Sequence, residues 1–292
     1  MIKFESMLVE NIGKTIHFQL KNVAFSSFDQ DSEYQNIMSP FSRLYLIKSG
    51  TGHLFMNGEK IYLEPDHMYL IPSFTACSYF FQKNLEHFYI HFSVELTSGV
   101  NFYHLFSVLN KIQAETDDQR ILEKCLSLNP GYALPHHDPK IYQTKPWMIK
   151  PINYASLAHF IETNAIIAQL FSRFVNKVLK VDMNEIVSGN FQAVLNYIHK
   201  NLSEDLSVGG IAELNFTSKD HFSRKFRRVM GLSPSEYIIR KRLEKAKLLL
   251  LTTDKPLSEI ISSCGFKSKS YFCRIFKKYT GATPKGFRKS GE

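Results

Sequence analysis

The chain has 292 residues, 44% hydrophobic and 13% aromatic, enough apolar side chain for one large or two ordinary soluble domains. Its formal charge of +9 is uneven: residues 1–187 carry 16 basic and 18 acidic side chains, residues 188–292 carry 20 and 9. No apolar run approaches a signal peptide or a membrane span, and Cys77, Cys125, Cys264 and Cys273 form no CxxC pair, so reduced thiols in a cytoplasmic protein are the expectation.

From about Phe18 to Val94 the sequence reads as short strands. Arg43–Lys48, His53–Met56, Lys60–Leu63 and His67–Ile71 are aliphatic and aromatic runs separated by Gly50-Thr51-Gly52, Asn57-Gly58 and Glu64-Pro65-Asp66. Asn-Gly between two such runs predicts a hairpin, because a type I′ turn needs positive φ at both central residues. The pattern resumes over Ser73–Phe81 and ends in Phe88–Phe92, which suggests a small barrel or sandwich.

The periodicity turns helical over Phe102–Leu128 and Asn153–Val181, with a loop at Asn129–Pro151. In the second helix Leu157, Asn164, Phe171 and Val178 recur every seven residues, and Phe160, Ile167, Phe174 and Val181 follow each by three. That matches an a/d dimer seam with one polar a position; a helix packed on its own domain needs the same stripe. Asp182–Asn190 is polar and reads as a linker. Three segments result: a β domain (1–100), a helical segment with a candidate dimer interface (101–187), and an all-helical domain (188–292).

The last segment contains an internal repeat. Residues 218–237 and 268–287 coincide, at a shift of fifty, in Ser218/Ser268, Lys219/Lys269, Phe222/Phe272, Arg224/Arg274, Phe226/Phe276, Gly231/Gly281 and Pro234/Pro284. Each copy follows a short apolar helix, Val208–Leu214 or Leu257–Cys264, so a helix-turn-helix occurs twice. Ser218 and Ser268 are suitable N-caps. The phenylalanines, four apart, bury one face. Lys219, Asp220, Ser223 and Arg224, and in the second copy Lys269, Ser270, Tyr271 and Arg274, are left as candidates for base edges in a major groove. Arg227, Arg228, Lys277 and Lys278, one turn on, suit phosphates.

With these features, residues 191–289 resemble the DNA-binding domain of AraC-type (AraC/XylS) transcriptional regulators. The likeness includes Ile211-Ala212, both Phe-x-Arg-x-Phe frameworks, Arg240-x-Arg242, Gly265-Phe266, Thr283-Pro284 and Phe287-Arg288. It implies two units joined by a helix over about Pro234–Leu251, with recognition helices in adjacent major grooves of double-stranded DNA. RNA polymerase as a partner, a homodimer and transcription activation are further implications. Asn215 and Ile261 depart from the family pattern, which places an apolar residue and Ala there.

The β region is similar to the cupin-like sensory domain of that family, from Gly50-x-Gly52 to Ile90-His91-Phe92. The fold class expected is therefore multidomain α+β: an N-terminal cupin-like β-barrel with a helical segment, then an all-α domain. A cupin metalloenzyme needs His-x-His, Glu and a further His around one metal. This chain has His53 without His-x-His, Cys77 where the late His falls, and His136-His137-Asp138 only in a loop, so neither a metal nor another cofactor is expected. Tyr45, His53, Tyr79, Tyr89 and His91 are candidates for a small-molecule effector pocket, although core packing is the better reading of any single one. The function expected is a transcription regulator and not an enzyme, with no membrane attachment. The alternatives are a cupin metalloenzyme with a helical appendage, a methyl-accepting DNA-repair sensor, and a regulator without an effector.

Overall fold

The computed structural model describes residues 13–96, 102–134, 152–178, 189–230 and 232–289. The chain divides into two compact units, one from Phe18–Val94 and Ser107–Lys177, the other chiefly from Val178–Arg288. In chain order come β1 (Ile16–Ser27), β2 (Ser32–Ile37), β3 (Ser42–Ser49), β4 (Gly52–Met56), β5 (Glu59–Leu63), β6 (His67–Ile71), β7 (Cys77–Phe81) and β8 (Glu86–Leu96). A 3-10 turn at Phe102–His104 precedes β9 (Phe106–Val108), β10 (Lys111–Gln113), α1 (Asp118–Leu128), α2 (Leu157–Ser172) and β11 (Val175–Val178).

Strands order as β1-β8-β3-β6-β10 in one sheet and β2-β7-β4-β5 in another, while β9 pairs with β11. The expected barrel is not closed: β1 and β10 end one sheet, and β2 and β5 end the other. The two sheets instead share a core of Tyr45 and Ile47 from β3, Leu54 and Met56 from β4, Tyr79 and Phe81 from β7, and Tyr89 from β8. Strand alternation decides which side chains enter it; in β4, Leu54 and Met56 are buried and Phe55 between them is exposed. Central β3 is buried on both faces over Ser42–Ile47, as a strand covered on both sides must be.

Asn57 (φ 54°) and Gly58 (φ 84°) join β4 to β5 in the tight turn their sequence predicted, with Met56 opposite Glu59. Gly50 (φ +82°) admits no side chain, since a Cβ would lie 2.5 Å from the Leu85 Cα. The strand expected from Ser73 begins only at Cys77, because Phe74 (φ 57°) sits in a turn and donates its N–H to Ser39 O at 2.7 Å.

The first expected helix is cut to α1. Lys111–Gln113 instead extends the five-stranded sheet, Lys111 opposite Tyr69, and the Asn110 side chain donates to Leu70 O at 2.9 Å. Free sheet edges outcompete a helical pattern of this modest strength. The second expected helix is cut to α2, capped by Ser156, whose hydroxyl accepts from His159 N at 3.1 Å. It ends where Phe174 N donates to Phe171 O and Leu109 N to Phe174 O, after which the chain becomes β11.

The heptad seam is corrected accordingly. Ile167, Phe171 and Phe174 are buried, Phe171 against Phe18 (5.5 Å) and Phe92 (5.6 Å), and Val178 lies in a strand. Leu157 (73% exposed) and Phe160 remain on the surface, and the Asn164 amide donates to Phe160 O within its own helix. Val181 and His136-His137-Asp138 lie outside the described residues, as does 182–188 of the expected linker.

Polar contacts lock α1 to α2. Buried Asn129 donates to Cys125 O (2.9 Å) and Thr163 Oγ1 (3.1 Å), and its Oδ1 faces His159 Nε2 at 3.1 Å. Arg173 pairs with buried Asp118, and also reaches Glu115 (3.2 Å) and Gln113 O (2.8 Å).

The second unit is helical: α3 (Gly189–Lys200), α4 (Val208–Leu214), α5 (Lys219–Met230), α6 (Pro234–Thr252), α7 (Leu257–Ser263), α8 (Lys269–Thr280) and α9 (Pro284–Lys289). Its core repeats with the sequence. Phe226 packs on Phe222 (5.7 Å) and Tyr237 (5.4 Å), and Phe276 packs on Phe272 (5.4 Å) and Phe287 (5.2 Å). α6 starts with Pro234 after the Ser233 cap, and buries Tyr237, Leu243, Ala246 and Leu250 between the two halves of the repeat.

Candidate nucleic-acid interface

The two recognition helices are built alike. Ser218 Oγ accepts from His221 N at 3.3 Å, and Ser268 Oγ accepts from Tyr271 N at 3.2 Å, so each begins at the serine its sequence marked. Gly281 (φ 76°) closes α8 in the left-handed conformation and donates to Lys277 O; its counterpart Gly231 lies outside the described residues.

With the phenylalanines turned inward, α5 exposes Lys219, Asp220, Arg224, Arg227 and Arg228, and half-exposes Ser223. α8 exposes Lys269, Ser270, Tyr271, Arg274, Lys277 and Lys278. All twelve positions singled out from the sequence thus fall on the two outward faces. The Ser223 hydroxyl donates to Lys219 O at 2.7 Å, leaving its oxygen to accept from a base or phosphate-bound water. The Arg274 guanidinium lies over the Tyr271 ring, 5.7 Å from its centre, a cation–π contact within the recognition helix. His221, exposed in the first turn of α5, and Phe216, exposed just before that helix, were not foreseen. His221 is the residue between two framework positions, and Phe216 is an aromatic that pattern alone assigns to the core.

The Arg240-x-Arg242 pair divides its work. Arg240 reaches Glu236 (2.7 Å) and lies over Tyr279 (5.6 Å). Arg242 donates to Leu202 O (2.9 Å) and Glu204 O (2.6 Å) and covers Phe266. Burial pulls the Arg242 pKa below its usual value, and these carbonyls compensate the charge. Arg242 thus ties the loop after α3 to the second helix-turn-helix.

In the β unit, Tyr45, Tyr79, Tyr89 and His91 do converge, together with Ser26, Phe28, Phe81, His87 and Leu134. They line an inter-sheet cavity of about 30 Å³, the volume of one or two waters. Stacked aromatics fill the rest: His87 lies against Phe81 (5.5 Å) and Phe28 (5.8 Å), and His91 against Phe41 (4.9 Å). Arg43, fully buried on β3 opposite His91, is 5.6 Å from the Tyr79 ring. Burial foremost, then the Arg43 and His87 charges, holds the His91 pKa well below the ordinary histidine value.

His53 is corrected: it does not enter this cavity. Because Leu54 points inward, strand alternation turns His53 to the outer face, where it stacks on Phe80 (5.4 Å) in a groove with Glu33, Phe55 and Lys60. Among the described residues no group of three or more His, Cys, Asp or Glu side chains is placed to hold a metal ion.

Comparison with known proteins bears on the helical unit. A family model described as a helix-turn-helix domain matches residues 192–290. LumQ of Photobacterium leiognathi, described as a probable transcriptional regulator, is 34% identical over 103 residues, covering 35% of this chain and 42% of LumQ. AdaA of Bacillus subtilis, a bifunctional transcriptional activator and DNA repair enzyme, is 36% identical over 95 residues, covering 32% and 45%. The C-terminal domain of the two-component response regulator yesN from Fusobacterium nucleatum is 34% identical and has a TM-score of 0.34, covering 35% of this chain and 99% of that domain. The chain spans less than half the length of LumQ and AdaA. Residues 192–290 thus match a helix-turn-helix domain, and within them the helix-turn-helix occurs twice, after a sheet-rich unit in the sequence.

Proposed function

We propose that this chain is a sequence-specific DNA-binding transcription regulator of the AraC type. The single observation that carries the proposal is the pair of basic recognition helices, α5 and α8, presented by one rigid connecting helix. α6 has 19 residues and so spans about 28 Å, close to the roughly 34 Å between successive major grooves on one face of B-DNA. Arg224 and Arg274 sit where a guanine edge can be bonded bidentately, Lys219, Asp220, Ser223, Lys269, Ser270 and Tyr271 complete the base-reading faces, and Arg227, Arg228, Lys277 and Lys278 hold phosphates.

The regulator is cytoplasmic and, as the AraC-type resemblance implies, activates transcription with RNA polymerase as a partner. The cupin-like β unit is the sensory part, with Tyr45, Tyr79, Tyr89 and His91 as its effector-facing side chains. At about 30 Å³ the cavity must open to admit a ligand, since ligand pockets run to several hundred Å³. That opening is the coupling step: a ligand that separates the two sheets changes the unit that presents the DNA-binding domain. α2, through Leu157, Phe160 and the neighbouring Asn164, is the homodimer contact.

The test is selection of duplexes from a randomised pool with the full chain. Enrichment of a sequence containing two half-elements about one helical turn apart is expected. Recovery of unenriched DNA would refute sequence-specific binding.

A further inference from the structure

The turn of the first helix-turn-helix holds an anomaly that DNA binding by Arg and Lys leaves unexplained. Phe216 has φ +53°, the left-handed region that a bulky L-residue rarely occupies, and its side chain is 99% exposed. The second unit solves the same turn differently. There the left-handed residue is Gly265 (φ +77°), where a Cβ would lie 2.3 Å from Leu202 O, and the next aromatic, Phe266, is buried against Phe272 at 5.0 Å. One copy of the repeat thus tucks an aromatic in, and the other holds one out on a backbone that resists it.

Phe216 is firmly placed. Its N–H donates to Glu213 O at 2.9 Å, and Thr217 donates from N (3.0 Å) and Oγ1 (3.3 Å) to Ala212 O. Two residues later Ser218 caps α5, and exposed Lys219 and Asp220 follow. The N-terminal residues of a recognition helix reach base edges, and consecutive Cα atoms are 3.8 Å apart, so the ring stands within side-chain reach of that floor. The surrounding charge fits one occupant: Lys219, Arg224, Arg227 and Arg228 belong to a segment with 20 basic and 9 acidic side chains. The apolar feature that a polyanionic duplex offers in its major groove is the thymine 5-methyl group.

We propose that Phe216 is a specificity-determining residue that contacts a thymine methyl beside the first recognition helix. This rests on the DNA-binding reading above. Backbone strain and full exposure are tolerated because the ring is covered only when the duplex is bound.

The experiment uses the full chain and a selected duplex, in which each thymine is replaced singly by uracil, deleting only the methyl. Affinities are measured for the wild-type protein and for Phe216→Gly and Phe216→Ala. One thymine-to-uracil change weakens wild-type binding about fourfold, the worth of one buried carbon. The same change leaves Phe216→Gly unaffected. Phe216→Gly melts no lower than wild type, because glycine accepts positive φ, so its lost discrimination is not unfolding. Its salt dependence stays that of the wild type, because no phosphate contact is removed.

If no uracil position separates wild type from Phe216→Gly, the proposal is overturned. Unchanged DNA binding with lost transcription would overturn it too, and assign the ring to a protein partner. A wild-type chain that binds no sequence preferentially overturns the DNA reading itself, and this contact with it.

Discussion

Salt dependence separates the two classes of cation on the recognition helices. Arg227, Arg228, Lys277 and Lys278 are exposed in the last turns of α5 and α8, beyond the base-reading positions. If each neutralises one phosphate, log affinity falls with log salt at a slope of about −3.6, so raising salt from about 50 to about 200 mM costs about 150-fold. Replacing Arg227 and Arg228 together by Ala halves the slope to about −1.8 and the loss to about 12-fold, on any sequence. Arg224→Ala or Arg274→Ala acts differently: the slope holds, and preference relaxes at a particular base position by about 1–3 kcal/mol. Fluorescence anisotropy titrations of one selected and one scrambled duplex, at several salt concentrations, read both quantities. A slope near zero refutes the electrostatic reading. A slope near −7 places Lys219, Arg224, Lys269 and Arg274 on phosphates as well, and refutes their role in base recognition.

Three other predictions concern the scaffold. Asp118→Ala removes the buried partner of Arg173, which keeps Glu115 and Gln113 O, so a loss of about 3 kcal/mol is expected in urea unfolding; a loss below about 1 kcal/mol would make the pair incidental. His199, stacked on Tyr237 and 2.8 Å from its hydroxyl, has its pKa pushed down to about 4 by burial and then by Lys241. Its folded pKa lies below the unfolded 6.5, so the stability that favours neutral imidazole is complete above pH 6.5 and is lost as pH falls towards 4, by at most about 3 kcal/mol. Thermal melts of wild type should fall across that window more steeply than those of His199→Gln, and parallel curves would contradict the assignment. Replacing Leu157, Phe160 and Ile161, all exposed on α2, by Ser should convert a dimer to a monomer in light scattering without lowering the melting temperature. An unchanged mass would remove α2 from the interface.

What was legible in the sequence follows from which interactions are local. Asn57-Gly58 fixes its own turn, Ser218 and Ser268 cap their own helices, and phenylalanines four apart choose the buried face of α5 and α8. Each of those decisions is made within a few residues, so pattern reading finds them. Closure of the barrel is not local: it depends on whether β1, β10, β2 and β5 find partners across the molecule, and strand periodicity is silent on that. Lys111–Gln113 is a strand because the edge of β6 is available to it, although its own segment reads as helical. His53 was misplaced by a motif position, where counting alternation from buried Leu54 would have turned it outward.

The heptad in α2 illustrates how one pattern can serve two masters along its length. Apolar residues at a seven-residue spacing record only that a stripe is covered, and the cover differs between the two ends of this helix. Towards its C-terminus, Ile167 and Phe171 are buried, and Phe18 and Phe92 from the sheet supply rings to meet Phe171. At the N-terminal end, Leu157, Phe160 and Ile161 stay on the surface, Tyr154 touching Phe160 at 5.1 Å. An i to i+3 and i+4 cluster of exposed apolar side chains over little more than one turn is too short for a coiled coil, which needs several heptads to supercoil. It suits a compact helix-pair contact instead. In that geometry Asn164 borders the contact rather than setting the register of a long seam, because it lies where the exposed stripe ends; one amide N–H donates to Phe160 O at 2.8 Å and the other is left for a neighbour.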